Sequence, residues 1–110
     1  MKQYVIDQLR GKDYERVKAC LDDRLEAAAV EGVYCLRVPD ALLTESQRGH
    51  DSCKPLYFAV ELEPDRLVCE LLVRTSERVR CDCMSYATEA QRNWFIETID
   101  ALFDHLEIRT

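Results

Sequence analysis

Leu56-Tyr57-Phe58-Ala59-Val60-Glu61-Leu62-Glu63-Pro64-Asp65-Arg66-Leu67-Val68-Cys69-Glu70-Leu71-Leu72-Val73 is the stretch that decides the fold. Leu56, Phe58, Val60 and Leu62 alternate with Tyr57, Ala59, Glu61 and Glu63. A period of two marks a strand with one buried face. Pro64-Asp65 supplies the turn, because proline presets φ at its first central position. Leu67, Cys69, Leu71 and Val73 then alternate with Val68, Glu70, Leu72 and Arg74. Pairing Leu62 with Leu67 sets Val60 opposite Cys69 and Phe58 opposite Leu71. Each inward residue then meets an inward residue, as a hairpin register requires.

Working outward, Thr75-Ser76-Glu77 makes a second turn into a strand carrying Val79, Cys81, Cys83 and Ser85 on the same face. Residues 55–86 thus read as a three-stranded antiparallel meander. Thr88 and Gln91 have the spacing of a capping box. Phe95, Ile99, Leu102 and Leu106 follow at helical spacing. On the N-terminal side, Tyr14, Val17, Leu21, Leu25 and Ala28 recur at steps of three and four, which predicts a helix from Lys12 to Glu31. Gly32 would close it, left-handed at no steric cost. Val33 to Val38 reads as a strand stopped by Pro39, and residues 2–9 could add an edge strand. Residues 39–54 form a long polar connection. The fold class is therefore α+β: a four- or five-stranded antiparallel sheet with two helices on one face, in the order (β)-α-β-β-β-β-α. In element order alone this is similar to the TATA-binding-protein-like or helix-grip class, a likeness that transfers no function.

The chain has 110 residues, the size of one domain, and 47% are hydrophobic. That suffices for a conventional core over residues 1–110. No apolar run reaches the length of a membrane span. The early charges of Lys2 and Asp7 do not suit a signal peptide. A net charge of −6 without a basic stripe argues against nucleic acid as a partner. A cytoplasmic setting with reduced thiols is the expectation for the six cysteines.

Three readings of function follow. The leading one is a non-enzymatic protein-interaction module, a homodimer using the outer sheet face or an edge strand; small acidic α+β dimers include chaperones of secreted effectors. With the helices on the inner face, Tyr57, Ala59, Val68, Leu72, Met84 and Tyr86 form an outer apolar patch, with Tyr57 beside Leu72. Trp94 should stand at the rim. Exposed apolar patches mark contact surfaces. The second reading is a thiolate metal or redox module at Cys69, Cys81 and Cys83, whose sulfurs share the inward face. Against it, free cysteine behaves as a small hydrophobe and the spacing lacks paired Cys-x-x-Cys knuckles. The third is a small-molecule binder or enzyme with a pocket under the 39–54 loop. His50, Asp51, Ser52 and Cys53 hold nucleophile-like groups in that loop, but adjacency alone makes no catalytic arrangement. No catalytic residue and no cofactor is assigned. Glu61, Glu63, Glu70 and Asp82 share the outer face with Arg74, Arg78 and Arg80 and read as a solvated, paired surface.

Overall fold

The computed structural model describes residues 2–49, 55–75 and 84–109. Their elements are β1 (Gln3–Ile6), α1 (Gly11–Arg24), β2 (Glu26–Ala27), β3 (Val33–Arg37), a 3₁₀ turn (Asp40–Leu42), α2 (Glu45–Arg48), β4 (Leu56–Glu63), β5 (Arg66–Thr75), β6 (Ser85–Tyr86) and α3 (Glu89–His105). All strand pairs are antiparallel, in the spatial order β1-β5-β4-β3-β2, with β6 also on β5. The α+β class is as the alternation predicts, and the edge strand at residues 3–6 is real.

The β4–β5 hairpin has the expected turn, with Leu62 opposite Leu67 and Val60 opposite Cys69. Beyond that point the expected register fails. Phe58 lies opposite Val73, not Leu71, because Glu70, Leu71 and Leu72 together stand opposite Ala59. Two extra residues leave the parity intact, so Val73 still points inward and is fully buried. The bulge sits where the edge partner of β5 changes. Gln3–Ile6 pair with residues 67–70, and Ser85–Tyr86 pair with Leu72 and Val73. Leu71 is the junction: its N–H donates to the Lys2 carbonyl, and its own carbonyl accepts from Ala87 N–H.

The first helix is shorter than predicted. It ends at Arg24, and Leu25 is already extended. Glu26 and Ala27, of helical character in sequence, pair instead with Cys35 and Tyr34. Strand pairing in the folded chain overrides a propensity difference of a few tenths of a kcal/mol per residue. Gly32 does adopt positive φ, +84°, but in the turn entering β3. Its carbonyl accepts from Leu62 N–H at 2.8 Å.

Both long helices cover one face. Val17 and Leu21 of α1, and Phe95, Ile99, Leu102 and Phe103 of α3, are buried with Phe58, Val60, Leu67, Cys69 and Val73 of the sheet. Phe58 and Phe95 stack at the centre, with ring centroids 4.2 Å apart. Two tyrosines tie sheet to helices: Tyr34 donates to Asp22 of α1 at 2.6 Å, and Tyr4 donates to Asp100 of α3 at 2.5 Å. The Arg16 guanidinium of α1 donates to the Leu106 carbonyl at the end of α3.

The described part of the long connection, residues 39–49, is anchored to the core by two side chains and to α3 by a hydrogen bond. Leu43 and Gln47 are buried. Thr44 and Gln47 form a capping box at α2, and Thr88 and Gln91 form the predicted one at α3. The two boxes are joined. Gln91 Nε2 donates to Gln47 Oε1 at 2.9 Å and to the Leu42 carbonyl at 2.8 Å. Gln47 and Gln91 are both fully buried, so this bond holds the α2 segment against the start of α3.

Candidate functional site

The face opposite the helices is laid out by strand register. On β3, Val33, Cys35 and Arg37 stand opposite Glu61, Ala59 and Tyr57 of β4. On β5, Val68 stands opposite Glu61, and Arg74 opposite Tyr57. Val5 of β1 completes the row beside Val68. Glu70 accepts from Arg74 Nε at 2.8 Å across the bulge, so this pair is satisfied within the face.

This face is concave. After β2 the chain continues through Ala28, Ala29 and Val30, which wall a cleft of about 390 Å³ over Val33, Tyr57, Ala59 and Val68. Among the described residues, the most exposed large apolar side chains are Val30 at 66%, Tyr86 at 45% and Val5 at 40%. Val30 lies on the wall, Val5 on the floor strand's edge, and Tyr86 opposite Leu72. Water contact is therefore least well avoided on the side that the helices leave open.

The sequence-predicted patch divides into parts. Tyr57, Ala59 and Val68 come together in the cleft, each half-buried. Leu72 is separated from Tyr57 by the bulge and faces Tyr86, whose ring lies 5.3 Å from the Lys2 ammonium. Met84 precedes β6 and is half-buried. Trp94 belongs to the helical side, partly buried against the core. Sequence reasoning missed Val30 and the wall, because residues 26–31 read as helix; Val5 was legible from its alternation with Tyr4 and Ile6.

The thiols differ. Cys69 is fully buried between Val60 and Tyr4, and burial, aided by the Asp100 charge, pushes its thiol up to about 12. Burial also raises Cys35, with the Glu26 charge adding to it. Cys20 packs partly against the core. Cys53, Cys81 and Cys83 lie outside the described residues, as do His50, Asp51, Ser52, Arg78, Arg80 and Asp82. Among the described residues no three His, Cys, Asp or Glu side chains converge as a metal ion would require. Among the same residues, no helix is long and apolar enough to cross a membrane.

Cys69 and Tyr4 make stability depend on alkaline pH. Burial raises the Tyr4 hydroxyl as well, to about 12, and its bond to Asp100 adds to the rise. Both groups are neutral when protonated, and both hold the proton more tightly folded than unfolded. Their contribution is complete below the ordinary thiol value near 9 and is lost as pH rises towards 12. Urea midpoints should fall from pH 8 to pH 11, and the fall should be shallower in Cys69→Val. An equal fall in parent and variant would contradict the burial of this thiol.

No protein-family profile, no curated protein and no solved structure matches the chain.

Proposed function

We propose that the chain is a non-enzymatic protein-interaction module that binds a second copy of itself through the outer sheet face. One observation carries the reading: both long helices pack on one side of the sheet, while the other side keeps an apolar cleft bordered by exposed Val5 and Val30. An open apolar face of this kind is a contact surface in folded proteins. Charges of both signs border it, Arg37 and Arg74 with Glu61 and Glu70. A two-fold partner presenting the same set can match them, since an isologous interface is self-complementary.

Val68 is the best probe, because it is central on the face and faces Glu61 across the β4–β5 ladder. In Val68→Lys the new ammonium opposes that carboxylate, so the fold should lose about 1 kcal/mol or less. In a dimer the same change brings two desolvated charges near the axis. Sedimentation equilibrium at micromolar concentration should find the parent dimeric and Val68→Lys monomeric, and the denaturant midpoint should rise with protein concentration in the parent and not in the variant. A monomeric parent, or a variant that stays dimeric, would sink the proposal.

The thiolate reading draws no support from Cys69, whose surroundings favour the neutral thiol.

A further inference from the structure

A second cleft, of about 550 Å³, opens where β2 stops short along β3. Strand β2 pairs only with Tyr34 and Cys35, so β2 leaves Leu36 and Arg37 unpaired on that side of β3. Leu25, Ala27, Ala28, Ala29, Leu36 and Tyr57 line the space. The alanines leave room that larger side chains would fill, and the volume lies within the range of small-molecule sites.

The charges here reverse the balance of the chain. The whole sequence has 21 acidic residues against 15 Lys and Arg. Among the described residues that line this cleft, there are two guanidiniums, of Arg24 and Arg37, and one carboxylate, that of Glu26. Among the described residues, neither arginine has an ion pair or a side-chain hydrogen bond, whereas Arg16, Arg66 and Arg74 each have one. Both arginines are exposed and remain able to turn towards a ligand. A guanidinium presents a planar fork of donors that matches a carboxylate.

We infer that this cleft binds an apolar monocarboxylate, its hydrocarbon body against Leu25, Leu36 and Tyr57 and its carboxylate held by Arg24 and Arg37. The chemistry favours a single anion on an apolar chain. A dianion would meet Glu26, and an uncharged chain would leave both cations unused. The cleft shares Ala28, Ala29 and Tyr57 with the face proposed for self-association, and Arg37 borders both. The titration is therefore run on Val68→Lys as well as on the parent, and octanoate should bind both.

The experiment is an NMR titration of the ¹⁵N-labelled chain with octanoate below its micelle concentration, beside octan-1-ol as the uncharged control. Octanoate should give saturable shifts at Ala28, Ala29 and Tyr57, with octanol about tenfold weaker or more. The double variant Arg24→Gln, Arg37→Gln should weaken octanoate about tenfold and leave octanol unchanged. In the Val68→Lys background its melt should lie within about 0.5 kcal/mol of that background alone, since both side chains are exposed. A short apolar peptide with a free C-terminus forms a third arm and should bind no tighter than octanoate. Equal affinity for octanoate and octanol, no saturable octanoate shift, or saturation at residues away from the cleft would overturn the inference. So would a peptide that binds about tenfold tighter than octanoate, which would assign the cleft to a polypeptide terminus.

Discussion

Phe95→Ala should lower the unfolding free energy by about 3–5 kcal/mol. Phe95 is fully buried and stacks on Phe58 from the sheet, with the two rings 16° from parallel. Truncation removes the transfer energy of the ring and opens a cavity between α3 and β4. It also ends the stacking, worth about 1 kcal/mol beyond area. Ordinary domains are stable by only about 5–15 kcal/mol, so the variant should lie close to its unfolding threshold. Phe95→Leu keeps most of the volume and should lose markedly less. Urea melts of the parent and both variants check this. A loss below about 1 kcal/mol in Phe95→Ala would show that the helix does not dock on Phe58.

Gln91→Ala should lower the unfolding free energy by about 3 kcal/mol, although Gln91 is polar and lies in the first turn of a helix. Its amide oxygen accepts from Thr88 N–H, and its amide nitrogen serves both Leu42 and Gln47. Removing it breaks the side-chain half of one capping box and takes a donor from the Leu42 carbonyl and from Gln47 Oε1. The double-mutant cycle with Gln47→Ala should give a coupling of about 1 kcal/mol or more, because each side chain holds the other. Additive losses would mean that the two caps act separately.

Much of the fold was legible because period-two alternation survives any choice of partner strand. Leu56 to Leu62 and Leu67 to Cys69 point inward whatever else the chain does, and the proline turn between them fixes their register. The Thr88–Gln91 cap was equally local. The Thr44–Gln47 cap carried the same signature, Thr-x-x-Gln, and was readable. Its link to Gln91 was not, since 44 residues separate the two glutamines in the chain. The bulge at Glu70–Leu72 was hidden for another reason. It keeps inward parity, so the alternation looks unbroken, and it coincides with the exchange of β1 for β6 on the edge of β5.

The candidate site was read in part. Tyr57, Ala59 and Val68 were identified as outward-facing neighbours, because that depends only on parity within one hairpin. The concavity of the face depends on residues 28–30, and the Ala27-Ala28-Ala29 run conceals a strand end and the start of that wall behind strong helical propensity. Trp94 was assigned to the rim by its angle on α3, and it is half-buried against the core there.

The most direct test of the proposed interface is an isotope-filtered NOE experiment on a mixture of ¹³C-labelled and unlabelled chains. Contacts between copies should involve the methyl groups of Val5, Ala59 and Val68 and the ring of Tyr57. Intermolecular contacts confined to α1 or α3, or none at concentrations where the parent sediments as a dimer, would contradict the outer sheet face as the surface that joins two copies.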